Sequence, residues 1–293
     1  MYGGWDQAAT RNPHQSCRDS AAISGQFPAV SAPNDDRFGG IARLYGQAAL
    51  ERFHRARVAV IGVGGVGSWA VESLARSGVG KLTVVDLDEI CVTNVNRQLH
   101  AMDGQIGRQK TEAMAERVRA IHPAAEVQII PKFFNASTAA EILDEGFDAV
   151  IDAIDSIRHK ALLLAECHKR GIFTVTCGGA GGRRDPTQIR VADLAHSGKD
   201  TLLHQLRKSM RDYHGFPKVP QRTEPLPMGI EAVFSVEPQW FSECDGTVSP
   251  VKPENLRGQR LGCTTGFGSV THITASFGMV AAGRVLENLA SRD

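Results

Sequence analysis

Glycines and charged side chains of the kind that bind phosphate are concentrated between residues 57 and 110. A short apolar run enters a glycine-rich turn in Arg57-Val-Ala-Val-Ile-Gly62-Val-Gly64-Gly65-Val-Gly67. Glycine lets the backbone approach a phosphate because it has no Cβ, and a helix start would add free amides and partial positive charge. A second apolar run, 82–85, ends at Asp86, at about the spacing at which an acidic residue meets a ribose hydroxyl. Gly62, Gly64, Gly65, Gly67 and Asp86 are therefore candidate nucleotide-binding residues.

The residues after Asp86 favour a nucleoside triphosphate over a dinucleotide. The stretch 86–98 is too polar for an ordinary crossover of a dinucleotide-binding fold, and it contains Asp88, Asn94 and Arg97. Lys110 follows, so two cations would be available to balance triphosphate charge during cleavage. An NAD(P)-dependent oxidoreductase stays open at this point, because Asp86 would also suit a dinucleotide ribose.

The elements that must position these residues alternate along the chain. Strands are predicted at 58–61, 82–85, 127–130, 149–152, 173–176, 188–191 and 232–236, and helices at 37–56, after 67, and at 106–121, 136–145 and 157–170. Alternation of this kind predicts an α/β, Rossmann-like, mostly parallel sheet with helices on both faces. A C-terminal α+β extension should complete the same domain. Gly62, Asp86, Asp155 and Cys177 all fall at carboxyl ends of predicted strands, where such folds bind ligands.

Composition limits the class of protein. The chain has 293 residues, 42% of them hydrophobic, and a net charge of +1, so it can bury a large core and is not a polycation. Residues 1–36 lack an apolar period and are predicted to be a disordered tail, which leaves 37–293 as one domain. No Cys-x-x-Cys pair and no signal peptide are present, which predicts reduced thiols and a cytoplasmic protein.

Three further stretches each have two interpretations. The basic helix and loop at about 197–228 has Arg207, Lys208 and Arg211 on one face, which is either solvated or a contact for tRNA phosphates. Residues Gly178–Gly182 are either a tight turn or a loop that binds a cation or substrate. The apolar segment 269–286 contains His272 and Arg284 and is predicted to be a buried helix rather than a membrane span.

Motifs along about residues 37–290 carry a family resemblance. Gly62–Gly67, Asp86-x-Asp88, Asn94-x-Asn96-Arg97-Gln98, Lys110 and Asp152-Ala-Ile-Asp155 resemble the ubiquitin-activating enzymes and the activators of bacterial sulfur-carrier proteins. The closer resemblance is to the tRNA threonylcarbamoyladenosine dehydratases. It rests on Arg37-Phe-Gly-Gly, Ala42-Arg-Leu-Tyr-Gly46, Gly178-Gly-Ala-Gly-Gly182, Asp185-Pro-Thr-Gln188, Asp245-Gly-Thr-Val248 and Gly266-Phe-Gly268.

The resemblance implies that ATP adenylates the carboxylate of threonylcarbamoyladenosine in tRNA, after which the group cyclises and AMP leaves. Asn94 would then bind a phosphate oxygen, Arg97 and Lys110 would act on phosphate charge, and Asp155, with help from Asp88, would hold Mg²⁺. The same resemblance implies a homodimer that Arg37 or Arg43 completes. It also implies a monovalent cation, K⁺ or Na⁺, near Gly178, Gly179 and Gly181.

Rival interpretations remain. An activator of a ubiquitin-like sulfur carrier would share the adenylation site, although such activators usually carry paired CxxC motifs. A nucleotide-dependent scaffold, for example for a cysteine desulfurase system, is disfavoured because Arg97, Lys110 and Asp155 are all intact. Cys263 is interpreted as a packing residue rather than a thioester nucleophile, because attack within the substrate requires no enzyme nucleophile.

Overall fold

The computed structural model describes residues 36–218, 224–243, 245–251 and 267–292. The predicted tail and Cys263 lie outside these ranges, so both predictions stay open. From Arg37 onward the chain forms one unit by its internal contacts.

A seven-stranded sheet is the centre of the fold, and it confirms the predicted fold class. Its strands are β1 (Arg57–Ile61), β2 (Lys81–Val85), β3 (Glu126–Ile130), β4 (Ala149–Asp152), β5 (Phe173–Cys177), β6 (Ile189–Asp193) and β7 (Glu231–Ser235). They lie in the order β3-β2-β1-β4-β5-β7-β6, and only the edge strand β6 runs antiparallel to its neighbour. Two short strands, β8 (Phe241–Ser242) and β9 (Val248–Ser249), pair separately.

The helices connect these strands and cover both faces of the sheet. They are α1 (Gly39–Tyr45), α2 (Gln47–Arg55), α3 (Gly67–Arg76), α4 (Lys110–Ile121), α5 (Ala139–Leu143), α6 (Ile157–Lys169), α7 (Thr201–Tyr213) and α8 (Thr271–Ala290). Along β1, Val58 and Val60 pack with α2, α3, α4 and α8, whereas Ala59 and Ile61 pack with α5 and α6. Both faces of the strand are buried, as expected for parallel strands between two helical layers.

Glycines with positive φ change the bounds of two predicted helices in the structure, and the helix predicted at 136–145 is shorter, Ala139–Leu143. The helix predicted at 37–56 is divided into α1 and α2, because Gly46 has a φ of +89° that no helix tolerates. Ala49 and Phe53 of α2 are buried, whereas Leu44 of α1 is 75% exposed. The helix predicted from 106 begins only at Lys110, because Gly107, with a φ of +86°, lies in a turn.

The C-terminal helix α8 packs directly on α3. A Cβ on Gly278 would lie 2.4 Å from the carbonyl oxygen of Val66, so the two helices are in backbone contact at this point. Within the described part of the chain, no helix is both long and apolar enough to cross a membrane. The prediction of a buried helix for this segment is therefore confirmed by its contacts with α3, β4 and β5.

A buried carboxylate on α3 ties α3 to α4, and its removal should destabilise the fold. Glu72 is 4% exposed and accepts hydrogen bonds from Arg117 Nε and Nη2, at 2.6 and 2.9 Å, and from Arg76 Nε at 2.7 Å. These bonds outweigh burial and lower the pKa of Glu72. We expect Glu72→Gln to lose roughly 2 kcal/mol of unfolding free energy at neutral pH.

The effect of Glu72 should depend on pH in one direction. Because the pKa is lowered on folding, the contribution is fully present above the unfolded-state pKa and is lost as the pH falls through the folded-state pKa. Denaturant melts of wild type and Glu72→Gln at neutral and acid pH would test this. A stability difference that grew toward acid pH would contradict it. Glu116→Gln, which removes the exposed partner of Arg108, is the matched control.

Candidate nucleotide-binding site

The predicted site residues meet at the carboxyl edge of the sheet, where the strand order reverses. β1 and β4 are neighbours there, and the chain leaves them in opposite directions along the sheet, to β2 and to β5. Gly62 follows β1, Asp86 follows β2 and Asp155 lies just beyond β4. Such a crevice is where open α/β sheets bind ligands.

Two glycines of the turn after β1 are required by the fold itself. Gly62 has a φ of +88°, and a Cβ there would lie 2.9 Å from the carbonyl oxygen of Ala153. A Cβ on Gly67 would lie 1.8 Å from the carbonyl oxygen of Gly62. The turn packs closely against the segment after β4, which explains Gly62, and the start of α3 packs closely against the turn, which explains Gly67. Neither glycine requires a ligand to explain it.

The other two glycines have no equally strong structural reason. A Cβ on Gly64 would make only an ordinary contact, 3.7 Å from Gln98 Nε2, and one on Gly65 would meet Thr274 Cγ2 at 3.2 Å. The amides of Gly64 and Gly65 donate no hydrogen bond within the described residues. This is the arrangement expected where backbone amides at a helix start are kept for an anion.

The contrast between Gly64 and Gly67 can be tested. Gly64→Ala should fold with nearly wild-type stability but bind ATP at least tenfold more weakly, because the added methyl group would lie where phosphate must approach the backbone. Gly67→Ala should instead lower the unfolding temperature, since its Cβ cannot fit beside Gly62. Calorimetric ATP titration and thermal melts measure the two effects. If Gly64→Ala bound ATP as wild type does, the phosphate would not lie at this turn.

Asp86 is held in place by main-chain amides. Its Oδ2 accepts from Val63 N at 2.7 Å, and its Oδ1 accepts from Asp88 N at 2.9 Å. The carboxylate thus joins the glycine turn to the end of β2. Its side chain is only 9% exposed.

Lys110 lies beside both acids. Its ammonium is 2.8 Å from Asp88 Oδ2 and 3.9 Å from Asp86 Oδ1, although Lys110 itself is only 5% exposed. The position of Lys110 follows from the turn before α4, where its amide donates to the carbonyl oxygen of Asp88. A buried ammonium that is paired with an exposed carboxylate can exchange that partner for a phosphate.

Arg97 and Asn94 lie in the polar loop between β2 and α4. Arg97 Nη1 donates to the Thr93 carbonyl oxygen at 2.7 Å and to Asn96 Oδ1 at 3.0 Å, while its main-chain carbonyl accepts from Trp69 Nε1 and Thr274 Oγ1. Asn94 is buried, and its Oδ1 accepts from Cys91 N. Any phosphate contact by Asn94 must therefore come from its amide nitrogen.

Asp155 and Asp152 have different environments. Asp152 is fully buried, pairs with Lys160 Nζ at 2.8 Å and accepts from Thr176 Oγ1, so it supports the loop after β4. Asp155 is exposed, and its carboxylate has no hydrogen bond or ion pair with any described residue. A free carboxylate at this edge fits a Mg²⁺ ion, which prefers oxygen ligands and retains waters. Among the described residues, no cluster of three His, Cys, Asp or Glu could hold a metal by itself.

The loop Gly178–Gly182 is packed on three sides by protein. A Cβ on Gly178 would lie 2.4 Å from Asp200 Oδ2, which also accepts from Gly179 N. Gly181 and Gly182 face Phe267, where added Cβ atoms would lie 2.9 and 2.7 Å from its side chain. Packing therefore explains glycine at positions 178, 181 and 182, whereas a Cβ on Gly179 would make only ordinary contacts, the nearest at 3.8 Å. Before the loop, burial raises the pKa of Cys177 to about 12, so this thiol is no thiolate nucleophile.

Gln98 and His100 belong to the site but were missed from the sequence. Both are buried, and His100 Nε2 donates to Gln98 Oε1 at 3.1 Å, since an amide oxygen can only accept. Burial, together with the nearby Lys110 cation, lowers the pKa of His100 to about 4, so the imidazole is neutral beside Lys110. Their position in the Asn-Arg-Gln motif was the available signal.

The basic helix predicted at about 197–228 exists as α7. Leu203, Leu206 and Met210 are buried on its inner face. Arg207, however, donates to the carbonyl oxygen and the hydroxyl of Ser197, so its guanidinium is partly committed to the fold. Lys208 is exposed, whereas Arg211 is half-buried and its Nε donates to the carbonyl oxygen of Pro217 at 3.2 Å.

Comparisons with known proteins find similar sequences along most of this chain. The model of the ThiF family matches residues 40–290. The tRNA threonylcarbamoyladenosine dehydratase of Haemophilus influenzae is 46% identical over 88% of this chain and 95% of its own length. The enzyme of that name from Escherichia coli is 44% identical over 87% of this chain and 94% of its own length.

Solved structures agree as well. The structure of TcdA (CsdL) superposes with a TM-score of 0.78 at 44% identity, and covers 87% of this chain and 94% of its own. A crystal structure of the Escherichia coli dehydratase in complex with ATP gives a TM-score of 0.75 at 42% identity, with 87% of this chain and 93% of its own covered.

Proposed function

Because this chain belongs to the ThiF family, we propose that it is an ATP-dependent enzyme that converts threonylcarbamoyladenosine in tRNA to its cyclic, dehydrated form. The observation that carries the proposal is the site at the β1–β4 reversal. There Lys110 and Arg97, the free amides of Gly64 and Gly65, and an unpaired Asp155 carboxylate surround one crevice. The relatives that carry the dehydratase name match this chain over most of their length.

The reaction has two steps with balanced atoms. A carboxylate oxygen of the substrate attacks the α-phosphorus of ATP, a P–O bond forms, and pyrophosphate leaves with the electrons of the broken P–O bond. A nitrogen of the substrate's own ureido group then attacks the acyl carbon, loses its proton, and AMP leaves with the former carboxylate oxygen. The net change in the tRNA is loss of water, and no enzyme nucleophile is needed.

The protein contributes position and charge to these steps. Asp86 would hold the ribose, and Gly64 and Gly65 would let the phosphates approach the backbone. Lys110 and Arg97 would compensate charge on the β- and γ-phosphates and on the leaving pyrophosphate, and such preorganised charge is the largest contribution in many enzymes. Mg²⁺, when bound with ATP, would be held by Asp155 and would supply further charge compensation.

Mass spectrometry of tRNA nucleosides tests the proposal. tRNA that carries threonylcarbamoyladenosine is incubated with the protein, ATP and Mg²⁺, and we expect the modified nucleoside to lose the mass of a water molecule while AMP appears. Omission of ATP is the control. Unchanged nucleoside mass with active ATP binding would contradict the proposed substrate. Carrier-dependent pyrophosphate exchange with a Gly-Gly-ended carrier would instead support the sulfur-carrier activator.

A homodimer is also part of the proposal. Arg43 is exposed on α1, next to Leu44, which is 75% exposed, so this surface could contact a second copy. Either Arg43 or Arg37 would then reach the partner's nucleotide. Mixing inactive Arg43→Ala with inactive Lys110→Ala protein should restore part of the activity, because one site of a mixed dimer would be intact.

The remaining proposals concern ligands and cellular context. K⁺ or Na⁺ would bind carbonyl oxygens near Gly178, Gly179 and Gly181, although packing already explains the glycines at 178 and 181. Activity measured in K⁺, Na⁺ and choline salts at equal ionic strength tests that idea. A cysteine desulfurase partner and a cytoplasmic location remain proposals, and a tRNA substrate is consistent with the latter.

A further inference from the structure

Arg184 and Trp240 form a stacked pair beside the glycine loop. The guanidinium carbon of Arg184 lies 4.1 Å from the centroid of the Trp240 ring. The pair is anchored through the main chain, since Trp240 N donates to the Gly182 carbonyl oxygen at 2.8 Å and Arg184 N donates to Glu237 Oε2 at 2.9 Å. Trp240 is half-buried and Arg184 is exposed, so the guanidinium forms the outer layer of the stack.

The first turn of α8 connects this pair to the nucleotide site. His272 Nε2 donates to the Arg184 carbonyl oxygen at 2.9 Å. The adjacent residue, Thr271, donates through Oγ1 to the carbonyl oxygen of Asn96 at 2.6 Å, directly before Arg97. Consecutive residues of one helix therefore hold both the stacked pair and the Arg97 loop, which places the pair at the rim of the crevice.

The proposed substrate needs a planar surface at that rim. Its carboxylate is joined to the adenine ring by only a few covalent bonds, so the base must lie beside the crevice when the carboxylate reaches the α-phosphate. Bases in single-stranded RNA loops are bound by stacking on aromatic rings or on arginine guanidinium planes. A guanidinium stacked on an indole is a planar cationic surface with a fixed orientation, because the ring fixes the plane of the arginine.

We propose that Arg184, backed by Trp240, is the platform on which the modified adenine of the tRNA stacks. The proposal rests on the tRNA substrate proposed above and adds the residues that select its base. The cations of α7, exposed Lys208 and half-buried Arg211, are a separate surface that fits backbone phosphates. The two kinds of contact differ in their dependence on the base and on salt.

A double-mutant cycle separates base stacking from other contacts. The probe is an anticodon stem-loop with threonylcarbamoyladenosine at its natural position, compared with a stem-loop that is abasic there. We expect Arg184→Ala to weaken binding of the first RNA about 5- to 100-fold and binding of the abasic RNA by less than about twofold. Arg184→Lys should weaken binding of the modified RNA as much as Arg184→Ala, since lysine keeps the charge but lacks the planar group. Trp240→Phe should weaken that binding only about two- to threefold.

An arginine variant far from the stacked pair serves as the control. Arg119→Ala, at the far end of α4, removes an exposed arginine elsewhere and should change nothing. ATP affinity and thermal melts of the Arg184 variants should match wild type. Equal weakening for both RNAs, with a salt slope reduced by about 1, would show that Arg184 contacts a phosphate and would overturn the platform. Unchanged binding would overturn it as well. If wild-type protein binds the stem-loop but leaves its nucleoside mass unchanged, the dehydratase proposal fails while the cycle still tests stacking.

Discussion

Lys110→Ala should lower turnover by roughly 10²–10³-fold while the fold is retained. Lys110 is only 5% exposed, so the charge it places on a phosphate is weakly screened by solvent. Its loss should not collapse the site, because Asp86 keeps its hydrogen bonds from the amides of Val63 and Asp88. The measurement is single-turnover AMP formation with ATP and modified tRNA, together with a thermal melt.

A matched control exists for this variant. Lys132 also pairs with a carboxylate, Glu141 Oε1 at 2.6 Å, but both side chains are about half exposed. Lys132→Ala should therefore leave turnover within about twofold, as expected for a surface ion pair. Nearly wild-type turnover in folded Lys110→Ala would remove Lys110 from the catalytic set and would reopen the dinucleotide alternative.

Arg97→Ala is expected to lower turnover by a similar factor, roughly 10²–10³-fold. In the structure its guanidinium bonds only local acceptors, the Thr93 carbonyl oxygen and Asn96 Oδ1, and can leave them for a triphosphate. The loop should keep its position without the side chain, because Trp69 and Thr274 bond the main-chain carbonyl of residue 97. The loss should therefore appear in turnover and in ATP affinity, but not in the unfolding temperature.

Two further variants interpret the Arg97 result. Arg190→Ala removes another guanidinium that bonds nearby carbonyl oxygens, at Thr187 and Ile189, but on the edge strand β6, and should be neutral. Arg97→Lys should recover part of the activity, since it restores the charge without the planar fork. Full activity of Arg97→Ala would argue that a partner's arginine, rather than Arg97, compensates the phosphate charge.

Local pattern was sufficient to predict the sheet. The strands β1, β2, β4 and β5 are short apolar runs that end at a glycine or an acid, and buried parallel strands need apolar residues on both faces. These four strands were therefore predicted within a residue or two. The gathering of Gly62, Asp86 and Asp155 at one edge follows from parallel topology, since every such strand points its carboxyl end the same way.

The tertiary structure decided what depends on contacts between distant residues. Packing shows that a Cβ on Gly67 would clash with Gly62, whereas a Cβ on Gly64 would make only an ordinary contact. The spacing of the glycines does not distinguish a glycine required by packing from one required by a ligand. The pairing of Asp152 with Lys160, which leaves Asp155 free, depends on a helix folding back over β4. The Arg184–Trp240 stack joins residues that are far apart in sequence, and no periodicity encodes such a contact. Sequence patterns determine what a segment becomes, but burial and partner choice arise only when segments meet.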